Sequence, residues 1–146
     1  MKTPQHLFLI LTKRPEKMLD IFKPTSGLPN MWIGVSVENQ KQADARIPIL
    51  LQIPAAKCFV SIEPMLGPIR LQHYGTGTSI DWVICGGESG PGARPMHPDW
   101  PRSIRDQCQS AGVPFFFKQW GGINKKTAGR LLDGQEWNER PEMKGE

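Results

Sequence analysis

The chain predicts an α/β fold: a partial (β/α) barrel or open parallel sheet of about five strands with flanking helices, followed by a C-terminal β-hairpin. Two observations predict it. Short, continuous apolar runs recur as HLFLILT, MWIGVSV, KCFVSI, WVIC and VPFFF, the pattern of strands buried on both faces. The first strand ends, near residues 12, 37, 62 and 85, are about 25 residues apart. That spacing is close to one strand–helix unit, so the strands should be parallel with right-handed crossovers.

His6 to Thr12 reads as the first strand and stops at Lys13-Arg14-Pro15. Pro15 suits the first turn of a helix whose Met18, Leu19 and Phe22 share one face, with Pro24 and Gly27 ending it. Met31 to Val37 is the second strand and closes on Glu38. Asn39, with Gln42 three residues later, is a capping-box-like start. Pro48 should leave that helix short or kinked, with Ile47, Leu50 and Leu51 on its apolar face. Lys57 to Ile62 is the third strand, ending at Glu63-Pro64, and the polar stretch from Gln72 to Ser79, with Gly75 and Gly77, is a surface excursion.

Trp82 to Cys85 is the fourth strand and stops at Gly86-Gly87. Glu88 follows, then a loop carrying Ser89, Gly90, Gly92, Arg94 and His97, and a helix start at Pro98. This strand-to-helix loop is the candidate ligand contact, since adjacent glycines leave room beside the main chain; a tight turn with a capped helix is the plainer alternative. The helix places Trp100, Ile104, Cys108 and Ala111 on one stripe, with Gly112 as its cap. Val113 to Phe117 is the fifth strand, running into Lys118-Gln119-Trp120-Gly121. Asp133-Gly134, between Arg130-Leu131-Leu132 and Gln135-Glu136-Trp137, signals a type I′ hairpin, and residues after Pro141 should fray. Residues 1–121 thus read as the partial barrel and 122–146 as hairpin and tail.

Composition narrows the class. At 146 residues, 38% hydrophobic and 22% charged, the chain has the length and balance of one soluble globular domain. No apolar run approaches membrane-spanning length, so no membrane is expected. Cys58, Cys85 and Cys108 lie far apart, two of them within apolar runs. That usage predicts buried free thiols, no metal site and a reducing, cytoplasmic location. The net charge of +4 permits a phosphate-bearing partner without demanding one.

In a parallel sheet the C-terminal strand ends share one rim. The first residues past those ends are Lys13 and Arg14, Glu38, Glu63, Glu88, and Lys118 with Gln119, while Thr12, Ser36 and Ser61 lie just before. Five apolar strands releasing charge at one edge is the layout of a barrel's ligand face. The competing role is structural, since such residues also cap helices or pair with one another. The histidines His6, His73 and His97 show no catalytic order, and Trp120 would cover either a flat ligand or the core.

The segments LTKRPE, WIGVSVENQ, SIEPMLGPI, GGESGPGARPMHPDW and FFFKQWG, in that order, resemble the C-terminal part of a phage-associated family of uncharacterised radical-SAM-like proteins. The resemblance spans nearly the whole chain, from about His6 to Pro141. It implies a partial (β/α) barrel whose fuller members carry, ahead of this region, a cysteine-rich loop for a [4Fe–4S] cluster that cleaves S-adenosylmethionine. None of the three cysteines here replaces that loop, so the chain itself is expected to hold no cofactor, and both groups would belong to a longer form. Gly86-Gly87-Glu88 is also similar to the segment holding the amino group of S-adenosylmethionine in radical enzymes, although that segment follows an early strand and this one a late strand.

A five-stranded piece of such a barrel should leave its first and fifth strands as open edges, inviting self-association or an N-terminal partner segment. The resulting expectation is the substrate-side portion of a radical-SAM-like protein, without catalysis as this chain alone. Lys13, Glu38, Glu63, Gly86, Gly87, Glu88, Arg94 and Lys118 would form its pocket. An anionic moiety would sit against Gly86-Gly87 and the helix near Pro98. The alternative is a non-catalytic nucleic-acid or nucleotide-binding module using Lys13, Arg14, Arg94, Lys118, Lys125 and Lys126.

Overall fold

Five strands pair in chain order and all in parallel: β1 (Phe8–Thr12), β2 (Met31–Ser36), β3 (Lys57–Ile62), β4 (Ile80–Cys85) and β5 (Phe115–Phe117). The structure is a computed structural model that describes residues 5–24, 29–74, 80–124 and 128–142. Helix α1 (Pro15–Phe22) joins β1 to β2, α2 (Gln40–Leu50) joins β2 to β3, and α3 (Asp99–Ala111) joins β4 to β5. A single turn of 3-10 helix, Leu71–Tyr74, lies in the remaining crossover.

All three helices cover one face of the sheet. Alternate strand residues such as Ile33, Val35, Val60, Ile62, Val83, Phe115 and Phe117 join Leu19, Ile47, Leu50, Ile104 and Cys108 in one core. The other face carries a separate aromatic layer of Trp32, Phe59 and Trp82, with Leu7, Ile84 and Phe116 packed against it. Both faces being apolar explains why the strands read as unbroken runs. Sequential strand order with helices on one side is the winding of a barrel segment, not of a doubly wound sheet.

Local chemistry sets the element ends. Pro15 opens α1, and the Asn39 side chain accepts the Gln42 amide at 3.2 Å to start α2. Gly112 ends α3 with a left-handed φ of 66°. Between β3 and β4 the register shifts at Cys58/Phe59, and the Asp81 carboxylate accepts the Cys58 amide at 2.8 Å. That irregularity turns Ile80 to the helix side while Trp82 faces the aromatic layer. Strands β6 (Leu131–Leu132) and β7 (Gln135–Glu136) form the hairpin, with Asp133 at φ 54° and Gly134 at φ 82° as a type I′ turn requires. Leu132 is fully buried in the main core, and Asp133 takes Arg105 at 2.5 Å and Arg102 at 2.8 Å from α3.

Three expectations change. Pro48 does not cut α2 short: the helix runs 11 residues, through Pro48 to Leu50, because a proline in the final turns removes little of the ladder. Ala111 is exposed, since α3's buried stripe ends at Cys108. The edge at β5 is not open. Beyond the hairpin the chain runs antiparallel along it: the Phe117 amide donates to the Trp137 carbonyl at 2.9 Å and the Glu139 amide to the Phe115 carbonyl at 3.1 Å. Only β1 remains unpaired on its outer side among the described residues, with Leu9 and Leu11 48% and 49% exposed. Gly27, Gly75 and Gly77 lie outside the described residues; at the tail Pro141 is buried, and 143–146 also lie outside.

The aromatic layer depends on Gly34. A Cβ there would sit 2.4 Å from the Phe59 ring. Gly34→Ala should therefore lower unfolding free energy by about 1–3 kcal/mol, with part of the loss recovered by Phe59→Leu. Chemical denaturation measures both.

Candidate ligand-binding rim

At the C-terminal edge of the sheet, Glu63 reaches from the end of β3 to the extension of β5. Its Oε2 meets Lys118 Nζ at 2.7 Å and its Oε1 accepts from Gln119 Nε2 at 2.6 Å. Strands lie about 4.8 Å apart, so these two tips are about 10 Å apart with β4 between them. The crossing is open because the residue that follows β4 is a glycine. A Cβ on Gly86 would lie 3.0 Å from Gln119 Nε2, 3.3 Å from Lys118 Cβ and 3.4 Å from Glu63 Oε1.

Gly87 has a different role. Its missing side chain admits the Trp120 carbonyl, which would lie 1.9 Å from a Cβ, and Gly121 likewise admits the Glu88 carbonyl at 2.2 Å. The loops after β4 and β5 are thus zipped together. The Lys118 amide donates to the Cys85 carbonyl, Gly87 to Gln119, Gly122 to Glu88 and Gly90 to Gly122. The Gly86 amide is bound by the Ile62 carbonyl. The amides of Gly86 and Gly87 are therefore both occupied, and no anion cradle exists there of the kind expected from the glycine pair.

The remaining charged residues also arrive paired. Arg94 binds both Glu88 oxygens, at 2.8 and 2.7 Å, and adds its own amide at 2.8 Å. These Arg94 contacts hold the Glu88 carboxyl far below the usual range, at about 2. Glu38 lies between Lys13 at 2.5 Å and Arg46 at 3.0 Å. Among the described residues no hydrogen bond or ion pair joins Lys13 or Glu38 directly to Glu63 or Lys118.

The structure thus brings Glu63, Gly86, Gly87 and Lys118 into one constellation, and sets Lys13 with Glu38, and Glu88 with Arg94, along the same edge. Sequence reasoning left two participants out of the pocket. Gln119 had a signal, its place beside Lys118 at a strand end; Arg46, in mid-α2, had none. Trp120 is a lid: its indole donates to the Leu131 carbonyl at 2.8 Å and its ring meets Phe117 edge-on at 5.1 Å. Lys125 and Lys126 lie outside the described residues.

An iron–sulfur cluster does not fit the cysteines present. Burial pushes the Cys58 thiol up to about 11 and Cys108 up to about 12, and raises Cys85 as well. All three are buried free thiols, where a cluster needs several thiolates brought together at one place. Among the described residues no group of three or more His, Cys, Asp or Glu side chains comes together as a metal site, and no helix is long and apolar enough to cross a membrane.

Two predictions follow from this geometry. Gly87→Ala, opposed by backbone, should lower stability by about 3 kcal/mol, and Gly86→Ala, opposed mainly by side chains, by about 1 kcal/mol; thermal and urea melts compare them. A carboxyl whose folded pKa is depressed contributes stability above its unfolded value and loses it as pH falls through the folded one. The 88–94 loop should therefore loosen between about pH 4.5 and pH 2. In Arg94→Gln, carbon-detected NMR titration should find the Glu88 midpoint back in the ordinary carboxylate range.

No curated protein and no solved structure matches the chain. One family does: the profile described as "Protein of unknown function (DUF5131)" matches residues 1–141. With nearly its whole length matched, the chain belongs to the DUF5131 family.

Proposed function

We propose that this chain is the substrate-side portion of a phage-associated radical-SAM-like protein, with a ligand pocket at the C-terminal ends of its parallel strands and no catalysis on its own. The observation that carries the pocket is the Glu63–Lys118–Gln119 crossing over Gly86. It places a carboxylate and an ammonium, 25% and 44% exposed, side by side at the edge where barrel folds bind ligands. The wider radical-SAM-like reading draws on the sequential, one-sided winding of the sheet and on the segments quoted from the sequence. In it, S-adenosylmethionine and a [4Fe–4S] cluster enter only with a cysteine-rich segment ahead of β1, whose outer edge would receive it. A cytoplasmic setting accords with three reduced, buried thiols.

The alternative, a nucleic-acid or nucleotide-binding module, has less support. Lys13, Arg94 and Lys118 are each neutralised by Glu38, Glu88 and Glu63, so Arg14 is left as the exposed rim cation without an ion-pair partner among the described residues.

Titrating the isotopically labelled chain with a panel of free amino acids and nucleotides, and separately with a short DNA duplex at two salt concentrations, tests the pocket. Small molecules should perturb the amides of Gly87, Glu88, Lys118 and Gln119. Glu63→Gln and Lys118→Met should each weaken that binding about tenfold with little change in melting temperature. A duplex response that falls steeply with salt would favour the alternative. Equal stability losses with binding intact, or no response at the rim, would remove the pocket. An in-frame cysteine-rich segment in the DNA immediately upstream would support the radical-SAM-like reading, and its absence would count against it.

A further inference from the structure

We propose that residues 137–141 are a built-in cap on the β5 edge, fastened by Glu139, that prevents one copy of this chain from adding its β1 to the β5 of another. A sheet edge presents outward N–H and C=O groups that template a further strand. In β5 these belong to Phe115 and Phe117, because the backbone groups of the residues that alternate with them turn to β4: the Pro114 carbonyl accepts the Val83 amide and the Lys118 amide donates to the Cys85 carbonyl. The tail occupies three of them. The Phe117 amide donates to the Trp137 carbonyl at 2.9 Å, the Phe115 carbonyl accepts the Glu139 amide at 3.1 Å, and the Phe115 amide donates to Glu139 Oε2 at 2.9 Å.

Glu139 uses every polar group it has in this contact. Besides its amide and carboxylate, its carbonyl accepts the Trp82 indole N–H at 2.9 Å, and its carboxylate oxygens each accept from Gln109 Nε2 on α3 at 3.2 Å. One residue thus ties the tail to β5, to the aromatic layer and to the helix side. Trp137 adds an edge-on contact with Phe115 at 6.0 Å and lies under the Arg105 guanidinium at 5.5 Å, while Pro141 is buried.

The sheet's other end indicates what the cap excludes. β1 and β5 terminate one uniformly parallel sheet, so β1 of a second copy would meet an uncapped β5 in the same parallel sense. Its half-exposed Leu9 and Leu11 would then continue the aromatic face beyond Phe116. Such a contact is head-to-tail and repeats without closing unless the rotation happens to close a ring. An antiparallel β1–β1 contact, which the cap leaves open, is isologous and closes at two copies, so it cannot build assemblies that keep growing with concentration.

The test compares the full chain with a truncation after Glu136 by sedimentation velocity over a range of concentrations. The truncated chain should form assemblies that grow with concentration and are larger than any the full chain forms, and Leu9→Lys with Leu11→Lys in the truncated chain should abolish them. A truncated chain that stays the size of the full chain, or assemblies indifferent to the lysines, would overturn the proposal. Should the truncation fail to fold, Glu139→Ala in the full chain supplies the second readout by hydrogen exchange. The Phe115 and Phe117 amides should exchange about tenfold faster while Val60 in the core is unchanged; unchanged exchange at β5 would equally overturn it.

Discussion

The carboxylate of Glu63 passes over the end of β4 to reach Lys118 and Gln119, and the layout of the rim depends on that passage. A parallel sheet holds alternate strands about 10 Å apart, too far for their tips to touch unless long side chains span a residue without one. Gly86 provides the gap. The span ties three consecutive strand ends together, because Gln119 Nε2 also donates to the Gly87 carbonyl at 3.1 Å. Both oxygens of Glu63 are thereby committed, which leaves its carboxylate with a defined orientation before any ligand arrives.

Pairing is general along this edge, and it sets the terms on which anything could bind. Lys13 with Glu38, Glu63 with Lys118 and Glu88 with Arg94 present dipoles rather than free charges. Exposed pairs of this kind contribute little to stability, and a ligand with a charged group can exchange for one partner without leaving the other buried and bare. In the proposed reading, a rim built this way would favour a small polar ligand with both signs of charge over a long polyanion, which would find Lys13, Arg94 and Lys118 already paired.

Much of the fold was legible because both sheet faces are apolar. Strand positions showed as unbroken runs, the hairpin as Asp133-Gly134, and the α2 start as Asn39 with Gln42. The site was legible only as a set of residues past strand ends. Which of them meet is decided by strand order, and Glu63 and Lys118 are 55 residues apart, beyond any local pattern. The two adjacent glycines look equivalent in sequence, yet one clears space for side chains and the other for a backbone carbonyl. The tail misled for a similar reason. Nothing periodic marks Trp137 to Glu139 as an edge strand, since its partners are backbone atoms of β5 and the Trp82 indole.

The claim that one carboxylate joins the β3 tip to the β5 extension is tested most directly by a double-mutant cycle on Glu63 and Gln119, read as unfolding free energy. With the 2.6 Å contact in place, Glu63→Ala and Gln119→Ala should be non-additive by about 1 kcal/mol. Additivity to within about 0.3 kcal/mol would mean that the two side chains do not meet, contradicting the account.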